Sequence, residues 1–364
     1  MSKKKICFIS LSNLYLCPYI KRYVEIIEKS DENYEFDIIY WDRHNLNEIY
    51  DGANKSISFQ YILSEGSSYK EKVLGYLKFK KFTQKKIQEN KYNGIVLLQT
   101  SAGVLLQKSL KKLYFKKYIL DIRDYTMENN KLFYYLISKL IDNSFLTVIS
   151  SEGYKNFLPE YKYLITHNSN EIEEKVLSKF DKRNRTTEKI VISYIGLIRF
   201  HEQNKKVIMN FLNDNRFTLR FIGEDAMSLK SFCDENNVKN VELIDRFPPE
   251  KTIDYYYDTD IIYNLYGNNT PLLDYSLSNK LYYAAQLNIP ILVCPKTFME
   301  EVSTKYNFGL VYNDENLRAN DDLFEAFNNL DREHLKAGTK MFLKKVKKEN
   351  ELFSQEVRFF LNNI

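Results

Sequence analysis

The chain has 364 residues, of which 44% are hydrophobic and 28% charged, and its formal net charge is +5. This length is too great for most single cores and favours two domains of ordinary size, while the composition is typical of a globular protein. No apolar run is long enough to cross a bilayer, and the short apolar stretch behind the basic start indicates a strand, so neither a membrane-spanning segment nor a signal peptide is predicted.

The cysteines predict neither disulfides nor a metal site. They lie far apart and form no C-x-x-C pair; they are Cys7, Cys17, Cys233 and Cys294. We therefore expect reduced core thiols in a cytosolic protein. The histidines show no ligand spacing, and the acidic pair at 258–260 leads directly into an apolar run, which favours a turn over a metal site. No metal is expected.

Short β-branched or aromatic runs alternate with helical patterns along the chain, which predicts βαβ units and parallel sheets. In the first half we expect strands at 5–10, 35–41, 94–99, 117–122, 144–150 and 163–166. In the second half we expect strands at 189–196, 218–223, 240–244, 260–266 and 289–294.

The alternation is interrupted at 168–188, a charged stretch without a strand pattern. We therefore predict an α/β protein with two doubly wound, Rossmann-like domains. The predicted divisions are an N-terminal domain, a linker, a second domain and a C-terminal helix that can cross back to the first domain, at 1–168, 169–188, 189–340 and 341–364.

Ligands of open α/β sheets bind beyond the carboxyl ends of the strands, so the loops after the predicted strands are the first candidates for a site. The first strand of the second domain ends at Gly196 and is followed by Arg199, His201, Lys205 and Lys206. A glycine allows close backbone approach, and these cations would neutralise a diphosphate. A solvated, basic helix start would give the same pattern.

Two further loops carry weaker signals. Gly223 ends the next strand, and a simple turn at this position also explains a glycine. Arg246, Phe247 and Pro248 follow the third strand and would form a rigid edge for a flat base, although a proline-containing loop before a helix explains them equally well.

The segment "DYSLSNKLYYAAQLNIPILV" at 274–293 predicts a polar loop, a helix and a buried strand. Ser278, Asn279 and Lys280 lie where this helix would begin. The free N–H groups of a helix start attract anions, and a lysine there strengthens the attraction. Because the chain lacks G-x-S-x-G, G-x-x-x-x-G-K-[ST] and G-x-G-x-x-G, hydrolases, P-loop nucleoside triphosphatases and ordinary dinucleotide-dependent dehydrogenases lose most of their support.

In their order these segments resemble GT-B glycosyltransferases of the family 4 type, and most of all bacterial members that build capsular or other surface polysaccharides. The resemblance is strongest over 189–310, where "ISYIGLIRFHEQNKK" is similar to a strand–Gly–Arg–Lys segment and "SNKLYYAAQLNIPILV" to the family's "PNKLFEYMAAGKPVI". "KYNFGLVY" resembles a late strand that contains glycine, here Gly309. In the first half, "YILDIRDYT" and "ITHNSNE" resemble the family's DxRD loop and interdomain PNGVD segment.

The resemblance implies two domains that face a central cleft, with a nucleotide-sugar donor on the C-terminal domain and a glycan acceptor, lipid-linked or free, on the N-terminal domain. Arg199, Lys205 and Lys280 would be catalytic through contact with the donor diphosphate. Further donor-binding residues would be Gly196, Lys206, Gly223, Arg246, Phe247, Pro248, Leu277, Ser278, Asn279 and Tyr283. Acceptor-side residues would be Asn13, Asp121, Arg123 and Asp124.

One departure from the family pattern concerns ribose. Tyr283 occupies the position of the family's ribose-binding glutamate, and the preceding glutamate of the pair has only Asp274 near its place. Ribose recognition must then differ, or activity is impaired. Fixed cations and a helix start would stabilise the leaving group without a metal, and the resemblance implies retention of configuration and no dedicated general base. The nucleotide-sugar is a substrate, so no cofactor is expected.

Basic residues concentrate in the first half of the chain. Residues 1–168 carry 26 Lys and Arg against 18 Asp and Glu, whereas the remainder carries 27 against 30. Residues 70–117 hold 13 Lys and two acidic residues, with aromatics interleaved at 76–82 and 110–118. This stretch predicts contact with anionic lipid headgroups. Solvated helix faces with inward aromatics are the alternative, and nucleic acid is disfavoured because no binding motif accompanies the lysines.

The sequence therefore predicts a cytoplasmic glycosyltransferase of surface polysaccharide biosynthesis, peripheral on the inner face of the plasma membrane. Two other functions stay open. Tyr283 keeps open a catalytically silent GT-B protein that serves as a partner or acceptor-binding subunit. A sugar-nucleotide epimerase on the same architecture would need acidic residues and a histidine in the cleft, which the sequence does not locate.

Overall fold

The computed structural model describes residues 3–30, 34–63, 66–181 and 188–364. The chain divides into two compact units, one formed by Met1–His167 with Lys348–Ile364 and the other by Asn168–Lys347. Among the helices within the described ranges, none is both long and apolar enough to cross a membrane.

The described part of the first unit contains a seven-stranded sheet in the order β3-β2-β1-β4-β5-β6-β7. Every neighbouring pair of strands is parallel. Its strands are β1 (Lys4–Ser10), β2 (Tyr34–Asp42), β3 (Lys55–Gln60), β4 (Gly94–Leu97), β5 (Tyr118–Ile122), β6 (Leu146–Ile149) and β7 (Leu164–Ile165). Its helices are α1 (Ile20–Glu28), α2 (Tyr69–Asn90), α3 (Thr100–Leu113) and α4 (Lys131–Asn143).

The strand prediction for the first unit is right for six strands and misses β3. β1 has five consecutive buried residues, four of them apolar, as expected for a central strand covered on both faces. β3 is an edge strand, and its sequence "KSISFQ" has four polar residues among six and is only partly buried. β3 therefore lacks the apolar run that identifies the other strands.

The second unit contains a parallel sheet in the order β10-β9-β8-β11-β12-β13. This order is that of a dinucleotide-binding Rossmann sheet. Its strands are β8 (Ile190–Ile195), β9 (Phe217–Ile222), β10 (Val241–Ile244), β11 (Ile261–Asn264), β12 (Ile291–Val293) and β13 (Gly309–Val311). Its helices are α5 (Glu174–Asp181), α6 (His201–Asn210), α7 (Lys230–Glu235), α8 (Thr252–Tyr257), α9 (Pro271–Tyr275), α10 (Asn279–Leu287), α11 (Phe298–Lys305) and α12 (Ala319–Asn328).

The predicted linker at 169–188 carries helix α5, whose apolar side chains pack on the core of the second unit. Residues 182–187 of that stretch lie outside the described residues. The last helix, α13 (Arg332–Asn362), begins nine residues before the predicted start at 341. Its early residues Phe342 and Val346 belong to the core of the second unit, and its later residues Phe353 and Phe360 belong to the core of the first.

Gly338 shows how closely α13 packs in the second unit. A Cβ atom at this position would lie 1.8 Å from the backbone carbonyl oxygen of Tyr306, which cannot move as a side chain can. The helix axis therefore approaches the end of α11 as closely as a backbone without a side chain permits.

We expect Gly338→Ala to destabilise the protein by about 2 kcal/mol or more, although alanine is the better helix former. The reason is the collision with the Tyr306 carbonyl. The measurement is urea unfolding, and the exposed neighbour Lys340, replaced by alanine, is the control with an expected change of about 0.5 kcal/mol or less. A stability gain in Gly338→Ala would contradict this packing.

Candidate functional site

The strand order of the second unit places a topological switch point between β8 and β11. From β8 the sheet continues through β9 and β10 on one side and through β11, β12 and β13 on the other. The connections leave these two central strands in opposite directions, so a crevice forms beyond their carboxyl ends. The loops that line it follow Ile195 and Asn264.

Two glycines bring the ends of β8 and β9 together. Gly196 and Gly223 have φ angles of +120° and +129°, which L side chains rarely adopt. The Gly196 N–H donates to the Ile222 carbonyl at 2.9 Å. A Cβ atom on Gly223 would lie 2.2 Å from the Gly196 carbonyl oxygen, whereas a Cβ atom on Gly196 would meet nothing within 4 Å. Gly223 is thus required by close backbone approach and not only by a turn.

Lys280 is a buried lysine at the start of α10. Ser278 caps this helix by accepting the Lys280 N–H at 3.1 Å, and only 8% of Lys280 is exposed. Its ammonium donates to the Tyr266 hydroxyl at 2.7 Å and lies 4.2 Å from the centre of the Tyr194 ring. Within the described part of the chain, no carboxylate forms an ion pair with this ammonium.

The surroundings of Lys280 disfavour its charge. Burial lowers the pKa of Lys280 to about 8, which the Tyr194 side chain partly opposes and the positive charge of Arg199 reinforces. Burial likewise raises the pKa of Tyr266 to about 12, so this hydroxyl stays protonated at neutral pH. A neutral hydroxyl and two aromatic rings do not neutralise this buried cation. The site therefore favours a bound anion electrostatically.

Arg199 supplies the second positive charge of this region. Its backbone N–H donates to the Tyr194 hydroxyl at 3.1 Å, and its carbonyl accepts from the Asn204 amide at 2.7 Å, which fixes the loop after β8. Its side chain is exposed and forms no ion pair with any residue in the described ranges. Its charge lowers the pKa of both Lys280 and Tyr266, so the structure brings Arg199 and Lys280 into one electrostatic environment.

Lys205 and Lys206 differ from Lys280 because carboxylates already neutralise them. The Lys205 ammonium lies 2.8 Å from Glu202, and the Lys206 ammonium lies 3.1 Å from Asp314. Their proposed contact with a diphosphate would have to compete with these pairs. The lysines predicted to bind the donor are therefore of two kinds, paired (Lys205 and Lys206) and without a carboxylate partner among the described residues (Lys280), which the sequence does not distinguish.

The predicted base-binding edge follows β10. The Arg246 guanidinium pairs with the carboxylate of Glu224, which follows β9, and the Phe247 ring packs 4.8 Å from the ring of Tyr255. Pro248 precedes a short 3-10 turn. Leu277, another predicted donor residue, packs on the apolar core of this unit.

One face of α10 borders a small polar recess. Asn279 and Tyr283 line it together with Asn168, Asn170, Tyr282 and Gln286. The Tyr283 ring also packs 5.2 Å from the ring of Tyr256. The recess is far smaller than a typical pocket for a drug-sized ligand.

Tyr194 and Tyr266, the two aromatic residues that surround the Lys280 ammonium, are not among the site residues predicted from the sequence. The signal was present, because Tyr194 stands two residues before Gly196 and Tyr266 directly before Gly267, at the ends of the two central strands. Asn168 and Asn170 lie in "ITHNSNE", the segment that resembles the family's interdomain motif, whereas Gln286 carried no comparable signal.

In the first unit, Asp121 and Arg123 form a buried ion pair with a 2.6 Å contact. The Tyr23 hydroxyl donates to Asp121 at 2.8 Å, and the Arg123 guanidinium lies 4.3 Å from the centre of the Tyr19 ring. Burial raises the pKa of Asp121 despite the opposing charge of Arg123. Asp124, in contrast, is exposed.

Asn13, the remaining predicted acceptor residue, is buried and hydrogen-bonded within the protein. Its amide N–H groups donate to Asp42 and Glu48 at 2.8 Å each, and its carbonyl oxygen accepts the Arg43 N–H at 3.0 Å. The side chain therefore holds the loop after β2. The described residues contain no group of three or more His, Cys, Asp or Glu that could hold a metal ion.

Comparison with known proteins supports the architecture. No family model and no curated protein matches the sequence. The solved structures it resembles include sucrose-phosphate synthase from Thermosynechococcus elongatus, with 9% identity, 100% of both chains covered and a TM-score of 0.70. The lipopolysaccharide outer core galactosyltransferase WaaB has 12% identity, covers 96% of this chain and 98% of its own, and has a TM-score of 0.67.

A third similar structure is Anabaena Alr3699/HepE in complex with UDP, with 9% identity, 97% and 99% coverage of this chain and of that chain, and a TM-score of 0.65. The chain has the GT-B fold. At these identities the likeness establishes the fold alone. The GT-B architecture agrees with the two parallel, Rossmann-like sheets that the sequence predicts.

The two glycines of the site provide a matched test. We expect Gly223→Ala to lower the free energy of unfolding by about 1–3 kcal/mol more than Gly196→Ala does. Both variants place alanine at an unfavourable φ, but only the Cβ atom of Gly223→Ala collides with a backbone carbonyl. Chemical unfolding of both variants measures this difference. Equal losses would show that the ends of β8 and β9 are farther apart than described.

Proposed function

We propose that the protein is a glycosyltransferase that moves a sugar from a nucleotide-sugar donor to a glycan acceptor. The observation that carries the proposal is the buried Lys280 ammonium, which lacks a carboxylate partner among the described residues, at the switch point of the second sheet. The GT-B fold supports the same function, since the similar structures include a galactosyltransferase and a complex with UDP.

Glycosyl transfer requires positive charge beside the departing diphosphate. When the bond between the anomeric carbon and the diphosphate oxygen breaks, the nucleoside diphosphate leaves with the bonding electrons, and the acceptor hydroxyl adds to the anomeric carbon and loses its proton. In the proposed site Lys280 and Arg199 hold the diphosphate, and the N–H groups at the start of α10 add their dipoles. These groups act without a metal.

The donor is proposed to extend along α10. Asn279 and Tyr283 border the polar recess, and their amide and phenol would take the role that a carboxylate has in the family pattern. Gly196 and Gly223 would allow close approach of the diphosphate. By resemblance, the transfer is proposed to retain configuration.

The acceptor is proposed to be a lipid-linked glycan of surface polysaccharide biosynthesis, bound by the first unit at the cytoplasmic face of the membrane. The lysines at 70–81, in the first half of α2, support a lipid-linked acceptor because they suit an anionic surface. Asp124, on the loop after β5, is exposed and able to meet an acceptor.

A second candidate is a catalytically silent nucleotide-binding or partner protein with the same fold. Tyr283 favours it, because this residue replaces a glutamate that the family pattern carries. The two candidates separate in one assay: a transferase in solution releases sugar from its matching donor, whereas a silent protein binds the nucleotide and leaves the donor intact.

Nucleotide binding tests the proposed site. In a thermal-shift panel of UDP, GDP, dTDP and CMP, one nucleotide should raise the melting temperature. Lys280→Met should weaken binding of that nucleotide about 30-fold or more, because a charged hydrogen bond to the diphosphate is lost. Binding by the wild-type protein should also weaken as pH rises above about 8, where Lys280 loses its proton.

The control is Lys305→Met, which removes an exposed lysine in the last turn of α11. This position precedes β13 and therefore lies at the opposite edge of the sheet. Its nucleotide affinity should match that of the wild-type protein. Equal affinities of the Lys280→Met variant and the wild-type protein would refute the proposed site, and a panel without any shift would refute nucleotide binding.

A further inference from the structure

The first half of α2 exposes apolar side chains that the core of the first unit does not use. The exposed fractions are 82% for Tyr69, 46% for Leu74 and 53% for Leu77, and Val73 is also exposed. Leu74 and Leu77 are three residues apart and therefore share one face of the helix. Lys70 and Lys81, four residues from these leucines, lie on the same outward face.

Other residues of α2 form its inward face and pack into the core. Gly75, Phe79, Thr83 and Ile87 are buried, and Phe79 stacks on Trp41 with 5.6 Å between ring centres. Tyr76 and Phe82 also pack inward, against Trp41 and Phe59. The aromatics interleaved at 76–82 thus belong to the core, as the alternative interpretation of the sequence expected, and the surface signal comes from the leucines.

The lysines of this half of α2 carry charge that nearby carboxylates do not neutralise. Lys70, Lys72, Lys78, Lys80 and Lys81 form no ion pair with a carboxylate in the described ranges. The acidic residue of this half, Glu71, bonds the helix start in a capping box with Ser68. In the second half, by contrast, Lys85 and Lys86 both pair with Glu89.

Because α2 is longer than the strand before it, its exposed first half lies at one edge of the sheet. α2 has 22 residues, or about 33 Å, whereas the preceding strand β3 has six residues, or about 20 Å. Residues 69–74 are all exposed, and burial begins at Gly75, so the first turns project past the carboxyl end of β3. Ile62, in the connection between them, is 68% exposed. The loops that carry Asn13 and Asp124 follow strand ends at this same edge.

We propose that the first half of α2, Tyr69–Lys81, docks the protein on a membrane that contains anionic phospholipids. Leu74, Leu77 and Tyr69 would enter the boundary between headgroups and acyl chains, and the surrounding lysines would bind the lipid phosphates. Nucleic acid would use the lysines but would gain nothing from exposed leucines, so the combination favours a bilayer. The docking surface is independent of the donor site, because no residue of the second unit takes part.

The test uses vesicles of phosphatidylcholine with and without phosphatidylglycerol, in the absence of nucleotide. The wild-type protein should sediment with the anionic vesicles and not with the zwitterionic ones. The double variant Leu74→Gln/Leu77→Gln should lower the partition coefficient about tenfold, because two apolar side chains no longer enter the interface. Each Lys→Gln change at Lys70 or Lys81 should lower it about fivefold.

The matched control is Leu113→Gln/Phe115→Gln. Both residues are about half exposed and are also flanked by lysines, but they precede β5 and thus lie at the amino edge of the sheet. This variant should bind like the wild-type protein. Unchanged urea unfolding and an unchanged thermal shift with nucleotide would show that both double variants are folded.

Three results would overturn the docking surface. One is equal loss of vesicle binding in the control and in Leu74→Gln/Leu77→Gln. Another is binding that survives the loss of both leucines. In a third, the wild-type protein binds polyuridylate but no anionic vesicles, and the leucine variant still binds polyuridylate. This result would assign the lysines to nucleic acid. A protein that binds vesicles but no nucleotide would refute the donor site alone.

Discussion

The buried ammonium of Lys280 is the interaction on which the functional account depends. Its hydroxyl partner, Tyr266, remains protonated, and the ring of Tyr194 offers only its electron-rich face. A shift of the Lys280 pKa from 10.5 to about 8 corresponds to about 3 kcal/mol of disfavoured charge. A bound anion would remove this penalty, and folding alone gains nothing from it. This cost of an unpaired charge supports the proposed role of Lys280 in binding the donor diphosphate.

The fold explains why this lysine can be held in place without a counterion. Lys280 belongs to a capped helix and Tyr194 to a central strand, and Tyr266 follows the neighbouring strand by two residues, so the helix and the two strands position the ammonium and its partners. Gly196 and Gly223 keep the adjacent strand ends free of side chains. The first unit contrasts with this arrangement, because its buried Arg123 is neutralised by Asp121.

Most of the fold could be predicted from the sequence, because central strands of parallel sheets are uninterrupted apolar runs bounded by glycine or polar residues. The edge strand β3 could not, because four of its six side chains are polar. In the site, the helix start at Ser278 and Lys280 was predictable from its polar residues. The difference between Lys280 and the pair Lys205 and Lys206 was not, because it depends on which carboxylates, Glu202 and Asp314, lie nearby in space. For the same reason, the sequence did not show that Asn13 is buried and hydrogen-bonded within the protein.

The most direct test of the central claim is an NMR titration of the Lys280 ammonium, assigned by its absence in Lys280→Met. In the free protein we expect its pKa at about 8. With a saturating nucleoside diphosphate the bound phosphates should stabilise the charge and raise the pKa by about two units. A pKa that is ordinary in the free protein, or that does not change when the nucleotide is bound, would contradict the account.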